Sequence, residues 1–493
     1  MTTIAVRNAA MLYPCRSRHE APLADAWLRI DGAGIVDLGP EPCPADLAGA
    51  GRVIDARGKV VLPGFINLHH HFFQSLTRAM PVGLYAYSLD WLRTMYPLWQ
   101  EIDAEAIEVA ARLAASELLL TGATTSVDFA YLYPGGRAEL FDREVAAVRS
   151  AGLRLHAVRG CTPRLDGALG RDLATIPGFG DIRLEESTAD ILAASEAAIA
   201  RHHDRSRHSM CRIGVGPTAL PAGDPGLLRD LAALALEAGC DRHIHLQPRP
   251  VELEESARLH GCRPTEFLRR VGWLGERSII AHATKHEAAD IRILAESGTG
   301  VAHCPSQNMR LGYPAGPIPE MRTAGVRVGI GVDGGASNDG GSYLGELRLA
   351  HMIHRLEGVH EGYGPDQWMR ASDVLWMATR EAAAILGRDD IGRLAPGCAA
   401  DLVMIDLRQI AYAGALHDPL SAVLFAGDTT VVDTTIVNGA IVVEGGRLAN
   451  GGESRIVDDA NRVAAEMVRR AEARTDRRFE SRAAKLLRLC CCG

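Results

Sequence analysis

Lysine is nearly missing from this chain of 493 residues: Lys59, Lys285 and Lys485 are its only three, and arginine carries the rest of the basic charge. We attribute that bias to codon usage; it says little about chemistry. Positive charge is not in surplus either, because 61 acidic residues outnumber 53 basic ones for a formal charge of −8. With a pI near 6.1 there is no broad basic field to hold phosphate backbones, so nucleic acid is not an expected partner and a small molecule is. Aromatic residues make up only 5% of the chain, and no apolar run reaches the ~18 residues of a membrane-spanning helix. A membrane is not an expected partner. The opening MTTIAVRNAA lacks the basic, apolar and cleavage regions of a signal peptide, and the closing Cys490-Cys491-Cys492-Gly493 lacks a prenylation pattern. The eleven cysteines are odd in number and show no repeated pair spacing, so a reducing, cytoplasmic location is expected and a disulfide framework is not.

What remains is an ordinary globular composition, 47% hydrophobic and 23% charged with mean hydropathy near zero, which excludes disorder and fibrous repeats. The first sixty residues read as short strands with turns between them, including Asp31-Gly32, and similar segments return in CAADLVMIDL and around the Asn438-Gly439 hairpin signal. Between these ends, apolar β-rich runs alternate with helical stretches such as AEAIEVAARLAASELLLTG and DPGLLRDLAALALEAG, the pattern of repeated βα units. The expected architecture is α/β: a (β/α)8 barrel over 62–390, a small β-sandwich built from 1–61 and 391–450, and a C-terminal helical extension over 451–493. In the last of these Val463, Met467 and Ala471 fall at helical spacing, as a packing helix requires.

Eight candidate strands are VVLPGFINLHHH, ATTSVDFA, LRLHAVRG, CRIGVGPTAL, DRHIHLQ, RSIIAHA, TGVAHCP and VRVGIGVDG. In a closed parallel barrel the catalytic groups sit at the C-terminal strand ends, where His71, His245, His282, His303 and Asp333 fall in this reading. His69 and His71 are two apart at a strand end, so both side chains leave one face and can converge on one ion. A polar turn of three histidines is the bland alternative. His245, with His243 two residues before it, reads alone as a core histidine; Asp333, ahead of Gly334-Gly335 and Ser337-Asn338-Asp339, supplies a carboxylate at the barrel mouth, with the polar residues expected to cap the next helix. An imidazole and carboxylate set suits one divalent transition metal ion, Zn²⁺ first and Fe²⁺ second, better than Mg²⁺.

These residues resemble the amidohydrolase superfamily, in the cytosine-deaminase-like branch that contains 8-oxoguanine deaminase, isoxanthopterin deaminase and the triazine hydrolases. The resemblance spans nearly the whole chain and rests on LPGFINLHHHFFQSLTRA, DWLRTMYPLW, TGATTSVDF, LYPGG, GTGVAHCPSQNMRL, GVDGGASND, GRLAPGCAADLVMIDL and HDPLSA. It implies that His69, His71, His245 and Asp333 hold one metal and that His282 stands beside the attacking water or the substrate carbonyl. It further implies that Asp333 accepts the proton of the water, and that hydroxide then adds to an amidine-like ring carbon. The implied partners are a heterocyclic substrate and other copies of the chain in a homo-oligomer.

Two positions depart from the branch. Val127-Asp128-Phe129 stands where purine-type relatives carry an Asp-His pair, which implies a recut substrate pocket. At the second, the deaminases of the branch carry a glutamate three residues after the third histidine, and here His245-Leu246-Gln247-Pro248 puts a proline there, which cannot carry a proton. A general acid contributes ~10²–10⁴ in rate, so another group must serve or the reaction must differ. Glu252, Glu254 or Glu255 on the same segment, or Lys285 and His286 after His282, are the substitutes; Lys285 as a solvent-facing loop residue is the plainer alternative. Three readings follow: hydrolysis at a C–N bond of a purine-, pterin- or triazine-like ring; a related but non-deaminating reaction; and a catalytically silent binding protein. Expected substrate contacts are Gln74, Trp91, Arg159, Gln247 and His303, with Tyr96 sharing an aromatic wall with Trp91. Core packing for Trp91 and Tyr96, and a structural ion pair for Arg159, are the alternatives; His303 and Asn308 belong to a family signature, with His303 expected to orient neighbours, and Asp128 is expected behind the ligands.

Overall fold

The computed structural model describes residues 3–165, 167–219, 224–246, 250–360, 362–427 and 431–484. The N-terminal alternating segments form β1 (Ile4–Leu12), β2 (Leu23–Asp31), β3 (Gly34–Pro40), β4 (Arg52–Asp55) and β5 (Lys59–Pro63). The chain then enters ten short parallel strands: β6 (Phe65–Asn67), β7 (His70–His71), β8 (Ala123–Ala130), β9 (Arg154–Cys161), β10 (Cys211–Pro217), β11 (Asp241–Leu246), β12 (Ser278–His282), β13 (Gly300–His303), β14 (Val328–Ile330) and β15 (Asp333–Gly334). It returns through β16 (Leu402–Asp406), β17 (Thr434–Val437), β18 (Ala440–Glu444) and β19 (Arg447–Leu448).

The parallel strands assemble in the order β6-β8-β9-β10-β11-β12-β13-β14, and the last meets the first. Leu68 N–H donates to Ile330 O at 2.9 Å and Asp333 N–H to His69 O at 3.0 Å, while β7 and β15 pair in parallel with Asp333 opposite His70. That seam closes the (β/α)8 barrel. Every residue of β8 and β9 is buried, as strands covered on both faces must be. The seam is close enough to dictate composition: a Cβ at Gly331 would fall 2.8 Å from His69 Cβ and 3.0 Å from His69 N, so only glycine fits. Around the strands, the Ala104–Leu120 helix starts where Asp103 accepts from Ala106 N–H, and the Pro225–Ala238 helix runs from Asp224 and Pro225 to a left-handed Gly239.

The two chain ends share one nine-stranded sheet, mostly antiparallel, joined where β5 pairs with β16, and it encloses its own apolar cluster around Val6, Leu28, Ile30, Leu402 and Met404. The Asn438-Gly439 turn between β17 and β18 has positive φ at both residues, the geometry that suits a tight hairpin. The Glu453–Thr475 helix buries Ile456, Ala460, Val463, Met467, Val468 and Ala471, packs on the Ala104–Leu120 helix, and pairs Arg462 with Glu105 and Arg470 with Asp103. Its apolar stripe is therefore covered by the chain itself.

One ionic clasp ties the terminal sheet to the barrel. Arg154, the first residue of β9 and fully buried, gives two parallel 3.0 Å hydrogen bonds to Asp401, and further ones to His208 O, Ser209 O and Asn438 Oδ1. Asp401 in turn accepts from Asn438 N–H at 2.7 Å. Removing one partner of a buried pair strands the other charge, so Asp401→Ala is expected to lower unfolding free energy by ~3–5 kcal/mol in urea titrations, whereas replacing both Arg154 and Asp401 by apolar residues recovers much of the loss.

Candidate metal centre and its cavity

Five side chains from four places in the sequence meet at the C-terminal end of the barrel. His71 Nε2 lies 3.0 Å from His245 Nε2 and 3.3 Å from Asp333 Oδ1; His69 Nε2 is 3.5 Å from Asp333 Oδ1, and His282 Nε2 is 3.9 Å from Asp333 Oδ2. His69, His71 and His245 offer ligand atoms within 4.8 Å of one another, as do His69, His282 and Asp333. The far sides of three of these imidazoles are held by the barrel. His71 Nδ1–H donates to Phe129 O at 2.8 Å, His245 Nδ1–H donates to Thr218 O, and His69 Nδ1 is 3.0 Å from His243 Nε2. Fixing a proton on Nδ1 leaves the Nε2 lone pair facing inward, the tautomer a metal ligand needs.

That arrangement tests the fit of a cation. Two Nε2 lone pairs face each other at 3.0 Å, and the buried His69 Nε2 has no hydrogen-bond partner among the described residues. At a buried site, such crowding of lone pairs is unfavourable until a positive ion stands among them. Burial, reinforced by the neighbouring imidazoles, drives the His69 and His71 pKa values well below normal and keeps both rings neutral. Burial also pushes the Asp333 carboxyl up to about 7, against the hydrogen bond from Gly334 N–H that favours the anion. A divalent ion reverses that shift. Three imidazoles with a carboxylate form the donor set of a borderline transition metal.

Backbone geometry at the strand ends aims these groups. Asp333 has φ 59°, and His282 and Ala283 have φ 75° and 51°, a left-handed region that non-glycine residues seldom adopt. Ser337 Oγ–H donates to Gly334 O, and Asn338 Nδ2–H donates to Val332 O and to Glu346. These polar residues therefore brace the loop beneath Asp333 instead of capping the next helix, where Ser342 accepts from Gly345 N–H. Asp128 accepts from Phe72 N–H at 2.7 Å, which pins the residue after His71, and its burial pushes its carboxyl up to about 6.

A cavity of about 110 Å³ opens above the cluster, walled by Trp91, Tyr96, Tyr131 and Tyr313, with Gln74, Gln307, Ser337 and Glu252 as polar groups. Gln74 and Trp91 thus face the cavity; Trp91 Nε1–H donates to Ala336 O. Three other sequence candidates stand elsewhere. Arg159 is buried, paired with Glu186 at 2.5 Å and stacked 3.7 Å over the Tyr133 ring, the structural alternative. His303 Nε2 lies 3.2 Å from His354 Nε2, outside the cavity wall. Lys285 is half-buried in the turn after His282 and does not line the cavity. Gln247 and Pro248 lie outside the described residues. Sequence reading overlooked Tyr131, Thr218, Gln307 and Tyr313, although Tyr131 and Thr218 directly follow β8 and β10 and the rule that favoured strand ends reaches them.

Known proteins are similar to this chain along most of their length. The chain is 38% identical over 386 residues to an 8-oxoguanine deaminase of Pseudomonas aeruginosa, covering 78% of this chain and 82% of that protein. It is 36% identical over 444 residues to the hydroxydechloroatrazine ethylaminohydrolase of Pseudomonas sp. strain ADP, covering 87% and 88%. The crystal structure of atrazine chlorohydrolase TrzN from Arthrobacter aurescens TC1 complexed with zinc superposes with a TM-score of 0.85 at 30% identity, covering 94% of this chain and all of that one. The amidohydrolase family model matches residues 60–442, and the chain belongs to the amidohydrolase family.

Proposed function

We propose that this chain is a mononuclear, zinc-dependent hydrolase that releases ammonia or an amine from a ring carbon of a flat nitrogen heterocycle of the purine, pterin or triazine class. The observation that carries the reading is the convergence of His69, His71, His245, His282 and Asp333, the last four of which line the floor of one aromatic-walled cavity. The nitrogen-rich donor set favours zinc over a hard oxygen-seeking ion, and zinc is present in the similar atrazine chlorohydrolase. Deaminases and an ethylaminohydrolase among the relatives support C–N cleavage. The described cysteines are all free thiols, which supports a reducing cytoplasmic setting, and exposed Tyr85 and Tyr87 support association of copies through the 81–97 segment.

His69, His71, His245 and Asp333 are the residues that would hold the ion. When bound there, it supplies Lewis acidity that brings the pKa of water to ~7. Asp333 is placed to take the proton of the nucleophilic water, because its second oxygen faces His282 across 3.9 Å rather than a fixed cation. His282, stacked on His245 with ring planes 19° apart, presents its Nε2 to the same space and orients the substrate oxygen or ring nitrogen. Trp91, Tyr96 and Tyr313 exclude water and stack the ring, and the Gln74 and Gln307 amides read its edge.

Purified protein is expected to contain one divalent metal per chain by plasma mass spectrometry. Chelation should abolish ammonia release and lower the melting temperature, and added zinc should restore both, since a ligand of the native state stabilises it. Asp333→Asn is expected to cut kcat by ~10²–10⁴. Absence of stoichiometric metal, or no turnover across aminopurines, pterins and aminotriazines by the metallated protein, would overturn the reading. Trp91→Ala tests the aromatic wall: loss of ~0.5–1.5 kcal/mol of stacking predicts a KM rise of ~2–12-fold in steady-state kinetics, with a smaller change in kcat.

A further inference from the structure

Cleavage of a ring C–N bond sets two proton tasks. A proton must leave the water as its oxygen bonds to the ring carbon, and a proton must reach the departing nitrogen, because an amide anion is a very poor leaving group. Asp333 answers the first. The place where relatives of this branch are expected to carry a glutamate for the second holds Pro248, whose side chain has no acidic hydrogen.

We propose that Glu252 carries the proton to the leaving nitrogen. It is the first carboxylate after His245 in the chain, and it stands in the opening turn of the Pro250–His260 helix, which follows the strand that bears His245. It is buried, only 3% exposed, and lines the same cavity as His71, His245, His282 and Asp333. Among the described residues lining that cavity, Asp333 and Glu252 are the two carboxylates.

The other protic groups answer less well. Burial raises the phenols of Tyr96 and Tyr131, which weakens them as acids. The amides of Gln74 and Gln307 do not titrate, and Ser337 Oγ–H is already engaged with Gly334 O. His282 faces Asp333, on the side of the water. Glu254 is exposed on the same helix and is not part of the cavity wall. His286 lines a separate cavity of about 420 Å³ together with Glu320 and Glu357.

The inference rests on the C–N hydrolysis proposed above, and its proton count closes. Water gives one proton to the Asp333 carboxylate as its oxygen forms the new C–O bond. Glu252, as the neutral acid, gives its proton to the exocyclic nitrogen, and the C–N bond breaks with its electron pair going to nitrogen. Ammonia leaves, the ring keeps the hydroxyl, and the proton held by Asp333 returns to Glu252. The sum is an amino ring plus water giving a hydroxy ring plus ammonia.

The test compares two ring substrates that differ only in the leaving group, an aminotriazine and its chloro analogue, with metallated wild-type protein and Glu252→Gln. Chloride departs as an anion and needs no proton. Glu252→Gln is expected to lower the ratio of amino to chloro kcat/KM by ~10² or more, within the range of general acid catalysis, with metal content still one per chain. An equal fall on both substrates, or no fall, overturns the assignment of Glu252 while leaving C–N hydrolysis standing. Wild-type protein that turns over neither substrate, nor any other amino heterocycle, overturns both. If Glu252→Gln does not fold, Glu252→Ala with added formate reads the same role: selective recovery of ammonia release supports it, and recovery absent or equal on both substrates overturns it.

Discussion

The hydrogen bond from Asp333 N–H to His69 O is the constraint on which the site depends. It belongs to the seam where the last parallel strand returns to the first, and it brings the two ends of the barrel sequence into register. With β7 and β15 paired beside it, His69, His71 and Asp333 have no freedom to separate without opening the barrel. Gly331 and Gly334 mark how tight the closure is: a Cβ at the first would meet His69, and one at the second would meet the Gln74 amide. The site is a consequence of closure and not an addition to a finished scaffold.

Closure and burial together create an electrostatic deficit of one particular sign. His69, His71 and His245 each have the outer nitrogen engaged, by His243, Phe129 O or Thr218 O, and the inner nitrogen directed at the cluster. Burial keeps His69 and His71 neutral and disfavours the Asp333 anion, so among the described residues of the cluster none supplies the positive charge that would relieve the crowding. The left-handed conformations at His282 and Asp333 belong to the same account. Backbone strain persists only where the surroundings over-determine it, and both residues turn from the strand direction into the cluster.

The large features were legible in the sequence because they rest on local pattern. Apolar runs ending in histidine or aspartate marked the strands and their functional ends, and the Asn438-Gly439 turn announced its hairpin. What was not legible depends on which way a side chain points after the regular strand stops. His303 and His282 both end a strand; His282 reaches the cluster through a positive φ, whereas His303 meets His354 on the Tyr343–His360 helix. Arg159 stands near the end of β9 yet finds Glu186 and the Tyr133 ring, partners drawn from loops whose positions periodicity does not encode. The same limit applies to Ser337 and Asn338, whose polar side chains suit a helix cap and a loop brace equally until the loop is in view.

Stability and chemistry are placed at opposite ends of the barrel. Arg154 opens β9 and Asp401 precedes β16, so their clasp joins the terminal sheet to the barrel where strands begin, while the histidines and Asp333 stand where strands finish. Loops at the catalytic end can therefore change without disturbing the ionic clasp or the apolar cluster of the terminal sheet. Pro248 illustrates the freedom this allows: an acid can be lost from one position of the segment after β11 provided that another carboxylate on the next helix reaches the same cavity. The floor of the site is held by closure of the barrel and cannot drift, but its walls, including Glu252, Trp91 and Tyr313, come from segments outside the ladder. Substrate choice and proton delivery are therefore the properties this architecture leaves open to change, whereas assembly of the cation-binding floor is inseparable from folding.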